Sequence, residues 1–161
     1  MPLHSDKPNV HFNFSVAISL GERKRLKFFL IRIFKEEKQQ LADLQYVFCS
    51  DEFLLEINRQ FLEHDYYTDI ITFYLTEKGQ PLVAEIYISV DRIRENAKEF
   101  NTTQIQELHR VIFHGALHLC GYRDKTNEEK VIMEKMEDKY LRLYFKDQNV
   151  PREKRPRPRK K

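Results

Sequence analysis

His114 and His118 carry the most chemical content in this chain, because a separation of four residues on a helix sets two imidazoles one above the other. Gly121 follows at a place where helices commonly end in a left-handed residue. Asp124 stands three residues past it, placed to swing back toward the same point. Two imidazoles and one carboxylate around an ion, with a position left for water, is the pattern of catalytic rather than structural zinc. The set therefore points to metal-assisted hydrolysis. In the H-E-x-x-H helix of metalloproteases a glutamate beside the first histidine serves as general base. Here that place is Gly115, which has no acid–base capacity, so a peptidase reading lacks its proton acceptor.

These residues need a helix, and the hydrophobic pattern supplies one from Thr103 to Leu119. At about 100° per residue, Ile105, Leu108, Ile112, Ala116 and Leu119 form one stripe, and both histidines fall roughly 180–220° from its centre. Around it the pattern predicts strands at Val10–Ile18, Leu44–Cys49, Ile70–Leu75 and Leu82–Ser89. The Lys78–Pro81 turn is short enough to pair the last two antiparallel. Helices are predicted at Glu22–Lys38, after a cap at Asp51, at Val90–Phe100 and at Asn127–Phe145. The fold class is α/β (α+β): a small mixed sheet of about four strands covered by about five helices, in a single domain.

The chain has 161 residues, 41% hydrophobic and 33% charged, enough for one core and too few for two. No apolar run approaches the ~20 residues of a membrane span, and no signal-peptide pattern opens the chain. Two cysteines, Cys49 and Cys120, argue against a disulfide framework and for a reducing compartment, so the expected address is cytoplasmic. Formal charge is +3, yet Pro151–Lys161 alone sums to +6, leaving residues 1–150 at −3. The expected division is a hydrolase domain over 1–146 and a basic, disordered tail over 147–161. That tail serves either as a solubilising extension or as an electrostatic arm for nucleic acid.

The stretch His114-Gly-Ala-Leu-His118-Leu-Cys-Gly121-Tyr122 resembles the signature of the YbeY-type endoribonucleases, bacterial rRNA maturation factors. The likeness extends to Asn58-Arg59 with His64-Asp65, to Thr68–Phe73 and to Ala84–Ser89, in the family's order. Two departures stand out: Asp124 where the motif usually has a third metal-binding histidine, and Ala84 for the usual glycine. The resemblance implies a metal-dependent, single-strand-specific endoribonuclease acting in rRNA processing, notably at the small-subunit rRNA 3′ end, and in ribosome biogenesis. It implies His114, His118 and Asp124 as metal ligands and Arg59 as a catalytic residue that holds a phosphate. The expected cofactor is one divalent ion, zinc first, with nickel or another as alternatives. The expected partner is ribosomal RNA or the ribosome, with no membrane and no dinucleotide cofactor. The alternative is a non-cleaving ribosome-associated module with a structural metal.

Plainer roles compete at several positions. Arg59 also suits a helix-end cation or a partner of Asp65 or Asp69. Glu85 either pairs with Arg59 or lines the cleft, Cys120 and His109 read as core residues, and Met133 and Met136 as core of the last helix.

Overall fold

The computed structural model describes residues 7–63 and 68–146. His4, His64, Asp65, Tyr66, Tyr67 and the basic tail lie outside the described residues. Within them the element order is β1 (Asn9–Phe14), α1 (Arg23–Glu36), β2 (Leu41–Cys49), α2 (Asp51–Leu62), β3 (Ile70–Tyr74), β4 (Leu82–Ser89), α3 (Val90–Glu99), α4 (Gln104–Leu119) and α5 (Asn127–Tyr144). The expected four strands and five helices are all present among the described residues.

The sheet order is β1-β2-β4-β3, with β1, β2 and β4 parallel and β3 antiparallel to β4 at the edge. Alternation decides its faces. Leu44, Tyr46 and Phe48 of β2, with Ala84, Ile86 and Ile88 of β4, are fully buried, and the core they build includes Leu26, Leu30 and Ile33 of α1. Ala84, where the motif it resembles has glycine, thus packs inside this core.

α4 lies deepest. Every residue from Glu107 to Leu117 is buried. Tyr46 donates its hydroxyl to the Ile112 carbonyl at 2.8 Å, tying helix to sheet. A Cβ built on Gly115 would stand 2.9 Å from Ile70 Cδ1 and 3.0 Å from Ile86 Cδ1. The residue beside the first histidine is therefore glycine because α4 sits directly on β3 and β4 there.

Three local readings differ from the pattern. β1 stops at Phe14 because the Ser15 and Val16 amides both turn onto the Phe48 carbonyl, leaving the ladder. The α2 cap is Ser50, whose hydroxyl accepts from the Phe53 amide at 3.1 Å, and Asp51 is the first helical residue. Ile105 is 57% exposed, so the stripe of α4 begins one turn later.

His109 is buried between the rings of Tyr144 and Phe145, with centroids 5.2 and 4.9 Å away, and its Nδ1 donates to the Ile105 carbonyl. Burial holds this imidazole below its usual pKa. A lowered folded-state pKa leaves stability unaffected above the unfolded value of about 6.5 and removes it as pH falls below. His109→Phe is therefore expected to shrink the drop in Tm between pH 7.5 and 5.5. An unchanged drop would show that His109 does not contribute.

Candidate metal centre

The end of α4 is built by the residues past it. Cys120 caps the helix, and Gly121 takes φ 102, a region L side chains rarely adopt. The Gly121 amide donates to the His118 carbonyl and the Tyr122 amide to the Leu117 carbonyl, both at 3.0 Å, which closes a Schellman motif. The chain reverses there, and Asp124 comes back over the helix.

Asp124 Oδ2 lies 3.3 Å from His114 Nε2 and 3.3 Å from His118 Nε2. The two rings stand edge to face with centroids 4.5 Å apart. One ligand atom from each of the three residues falls within 4.8 Å of the others, a group able to hold a metal ion. His114 is buried, while His118 and Asp124 are each 24% exposed at the side chain, so the cluster opens to solvent on one side.

Hydrogen bonds on the far side of each ring decide what the cluster presents. His114 Nδ1 lies 2.5 Å from Glu137 Oε2, and His118 Nδ1 lies 2.9 Å from the Tyr122 carbonyl. Carboxylate and carbonyl oxygens only accept, so both Nδ1 atoms carry their hydrogens, and each neutral ring turns an Nε2 lone pair inward. Two lone pairs and a carboxylate oxygen then face one another. Three acceptors at such a spacing repel unless a proton or a cation lies between them, and imidazole nitrogen with carboxylate oxygen is a donor set that suits zinc. Where protons rather than a cation lie between them, hydrogen bonds from His114 and then His118 hold the Asp124 carboxyl well below its usual range.

Apart from Tyr122, the supporting shell comes from residues outside the motif. Glu137 is buried on α5, and its second oxygen accepts from Arg110 Nη1 at 2.8 Å. Arg110 also reaches Asp138 at 2.6 Å. Tyr122 donates its hydroxyl to Glu37 at the end of α1 (2.8 Å), and Tyr74 of β3 donates to the His118 carbonyl (3.0 Å). Glu137 had a signal in the sequence. It occupies the same buried face of α5 as Met133, Tyr140, Leu141 and Tyr144, a place where a carboxylate requires a partner.

The other singled-out residues are outside this three-residue group. Arg59 stands exposed in the last turn of α2, a helix that packs on β3, β4 and α3. Glu85 accepts from the Tyr87 hydroxyl at 3.0 Å and lines a cavity of about 630 Å³ with Phe53, Phe61, Phe73 and Tyr87. Cys120 packs against the core, its thiol pushed up to about 12 by burial and by Glu37, and it is outside the three-ligand group. Met133 is buried in the core and Met136 packs against it.

The family model described as Endoribonuclease YbeY matches residues 17–144. The chain belongs to this family. An Endoribonuclease YbeY of Cytophaga hutchinsonii is 47% identical over 132 residues, covering 82% of this chain and 92% of the relative. That of Bacteroides thetaiotaomicron is 52% identical over 105 residues, covering 65% and 76%. The solution structure of a Thermotoga maritima protein superposes with a TM-score of 0.59 at 27% identity, covering 91% of this chain and 99% of the other. The YbeY family model thus spans every element that builds the cluster.

Gly121 gives this centre a direct test. Gly121→Ala forces a side chain into the left-handed turn at a cost of roughly 1–2 kcal/mol. It also displaces both the Tyr122 carbonyl and Asp124. Calorimetry is expected to show a lower Tm together with weaker zinc binding. Zinc affinity equal to wild type would mean that the turn does not place the ligands.

Proposed function

We propose that this chain is a metal-dependent endoribonuclease that cuts single-stranded RNA in rRNA processing, including small-subunit 3′-end maturation, with ribosomal RNA or the ribosome as its partner in the cytoplasm. The observation that carries this reading is the convergence of three acceptor atoms, from His114, His118 and Asp124, at a point open to solvent. Membership of the Endoribonuclease YbeY family supports RNA as the substrate. Among the described residues no helix is long and apolar enough to cross a membrane.

His114, His118 and Asp124 would hold the ion, zinc first and nickel or another divalent metal as the alternatives. A bound ion of this kind supplies Lewis acidity toward a phosphoryl oxygen and an activated water. The protein's own contribution is position and charge. Glu137 and the Tyr122 carbonyl fix both rings with Nε2 inward. Asp124 contributes a negative charge where the usual family motif has a neutral imidazole, which offsets more of the metal's charge. Gly115 faces Ile70 and Ile86 and offers no proton acceptor beside His114, so the proton of the attacking water has to be taken up elsewhere. Arg59 is proposed to hold the scissile or a neighbouring phosphate through its fork of donors.

The test is cleavage of a single-stranded oligoribonucleotide by zinc-loaded protein, with Arg59→Ala alongside. Wild type is expected to cut internally, and Arg59→Ala to lose about 10²-fold or more in kcat/KM, the scale of removing one charge-stabilising group. Metal-loaded wild type that binds RNA and never cuts it would instead establish a non-cleaving module.

A further inference from the structure

Positive charge in the folded body is concentrated on one helix. α1 carries six basic residues and one acidic residue, a net +5, while the rest of the described chain sums to −5. Lys24, Phe28 and Lys35 fall on one side of the helix, opposite the buried Leu26, Leu30 and Ile33. Phe28 is 65% exposed. Lys24 and Lys35 stand about 16 Å apart along the axis. On the flank toward β1, Arg23 lies over the Phe14 ring at 4.5 Å and Lys27 over the Phe12 ring at 5.9 Å. On the opposite flank Arg32 is taken up by Glu36 (2.6 Å), and Arg25 by Glu22 and the Tyr144 carbonyl. At the start of the helix, Arg23 and Arg94 line a cavity of about 550 Å³ with Phe14 and Gln104.

We infer that the outer face of α1, from Arg23 to Lys35, is a binding surface for the RNA phosphate backbone, apart from the metal cluster; this rests on the endoribonuclease reading above. A body otherwise negative needs such a patch to attract a polyanion at all. Cations held over aromatic rings are partly ordered before the phosphates arrive. Phe28 adds one exposed ring on which a base can stack. RNA fits better than an anionic membrane, because the apolar side of α1 is already spent in the core and offers no face to insert.

The test compares the zinc-loaded full chain with Lys24→Glu/Lys27→Glu/Lys35→Glu, and with the milder Lys24→Ala/Lys35→Ala. Lys78→Glu/Lys98→Glu/Lys135→Glu, at exposed positions outside α1 and with the same change of six charges, serves as a control for net charge. Affinity for a labelled single-stranded oligoribonucleotide is read by anisotropy across a salt series. The triple variant is expected to lose about tenfold or more in affinity, and its salt slope to fall by about 0.7 per lysine. Its Tm, its zinc content and its kcat at saturating RNA should stay unchanged, and the control should bind like wild type. Undiminished affinity in the triple variant, or an equal loss in the control, overturns the proposal; so does salt dependence that vanishes on deleting residues 151–161 alone. Capture by phosphatidylserine vesicles that is lost in the triple variant while RNA binding persists assigns the face to lipid and overturns it too. Wild type that binds RNA through this face without cutting it would leave the surface standing and defeat the endoribonuclease reading.

Discussion

Glu137→Gln is expected to weaken zinc binding about 10–100-fold, the usual cost of removing a residue that orients a metal-ligating histidine. One carboxylate serves two neighbours here, His114 Nδ1 and Arg110 Nη1, and all three residues are buried. The amide keeps the shape and a single acceptor oxygen, so one of the two donors must face an NH₂ group. Breaking a buried pair from one side costs about 3–5 kcal/mol. Asp138 still holds the other arm of Arg110, which sets the expectation near the lower figure. For a chain of this length that is a fall in Tm of roughly 6–12 °C. Both readouts come from one sample, by thermal unfolding and by competition with a zinc chelator. Wild-type zinc affinity in a destabilised Glu137→Gln protein would separate the ion pair from the metal site and remove Glu137 from the account.

Asp124 carries the second large effect. Asp124→Ala is expected to lose more metal affinity than any supporting residue, hence well over the roughly 10–100-fold set by Glu137, and cleavage should fall in step. Asp124→His restores a third nitrogen ligand and is expected to bind zinc, because the Gly121 turn rather than the carboxylate itself brings position 124 over the two rings. Retained cleavage in Asp124→Ala at saturating zinc would contradict the ligand role. Zinc binding lost in Asp124→His would mean that the site requires the carboxylate's charge.

The clustering of His114, His118 and Asp124 was legible because the information that places them is local. A four-residue spacing, a glycine stop and one acidic residue just beyond lie within eleven positions of chain. The Schellman turn then does what Gly121 announced. Element types were equally plain, since each has its own apolar period, and the antiparallel β3–β4 pair followed from its short connection. What stayed hidden depends on distant partners. Nothing in β1 or β2 states that they run parallel to β4, because that follows from crossovers through helices. Glu137 lies 23 residues from His114, and its meaning required α5 to dock on α4. Its only trace was a charge at a buried helical position. Ile105 misled for the opposite reason: it has the right phase for the stripe but stands at the second residue of α4, where its side chain is left exposed. The basic character of α1 was readable one residue at a time. That it balances an otherwise acidic body depends on the summed charge of every other element, apart from the basic tail.

The most direct test is the metal content of the purified full chain, by elemental analysis, set beside His114→Ala/His118→Ala prepared identically. Wild type should carry about one divalent ion per chain and the double variant essentially none. A folded double variant that retains a full equivalent would contradict the assignment of these side chains, and the hydrolytic chemistry built on them would fall with it.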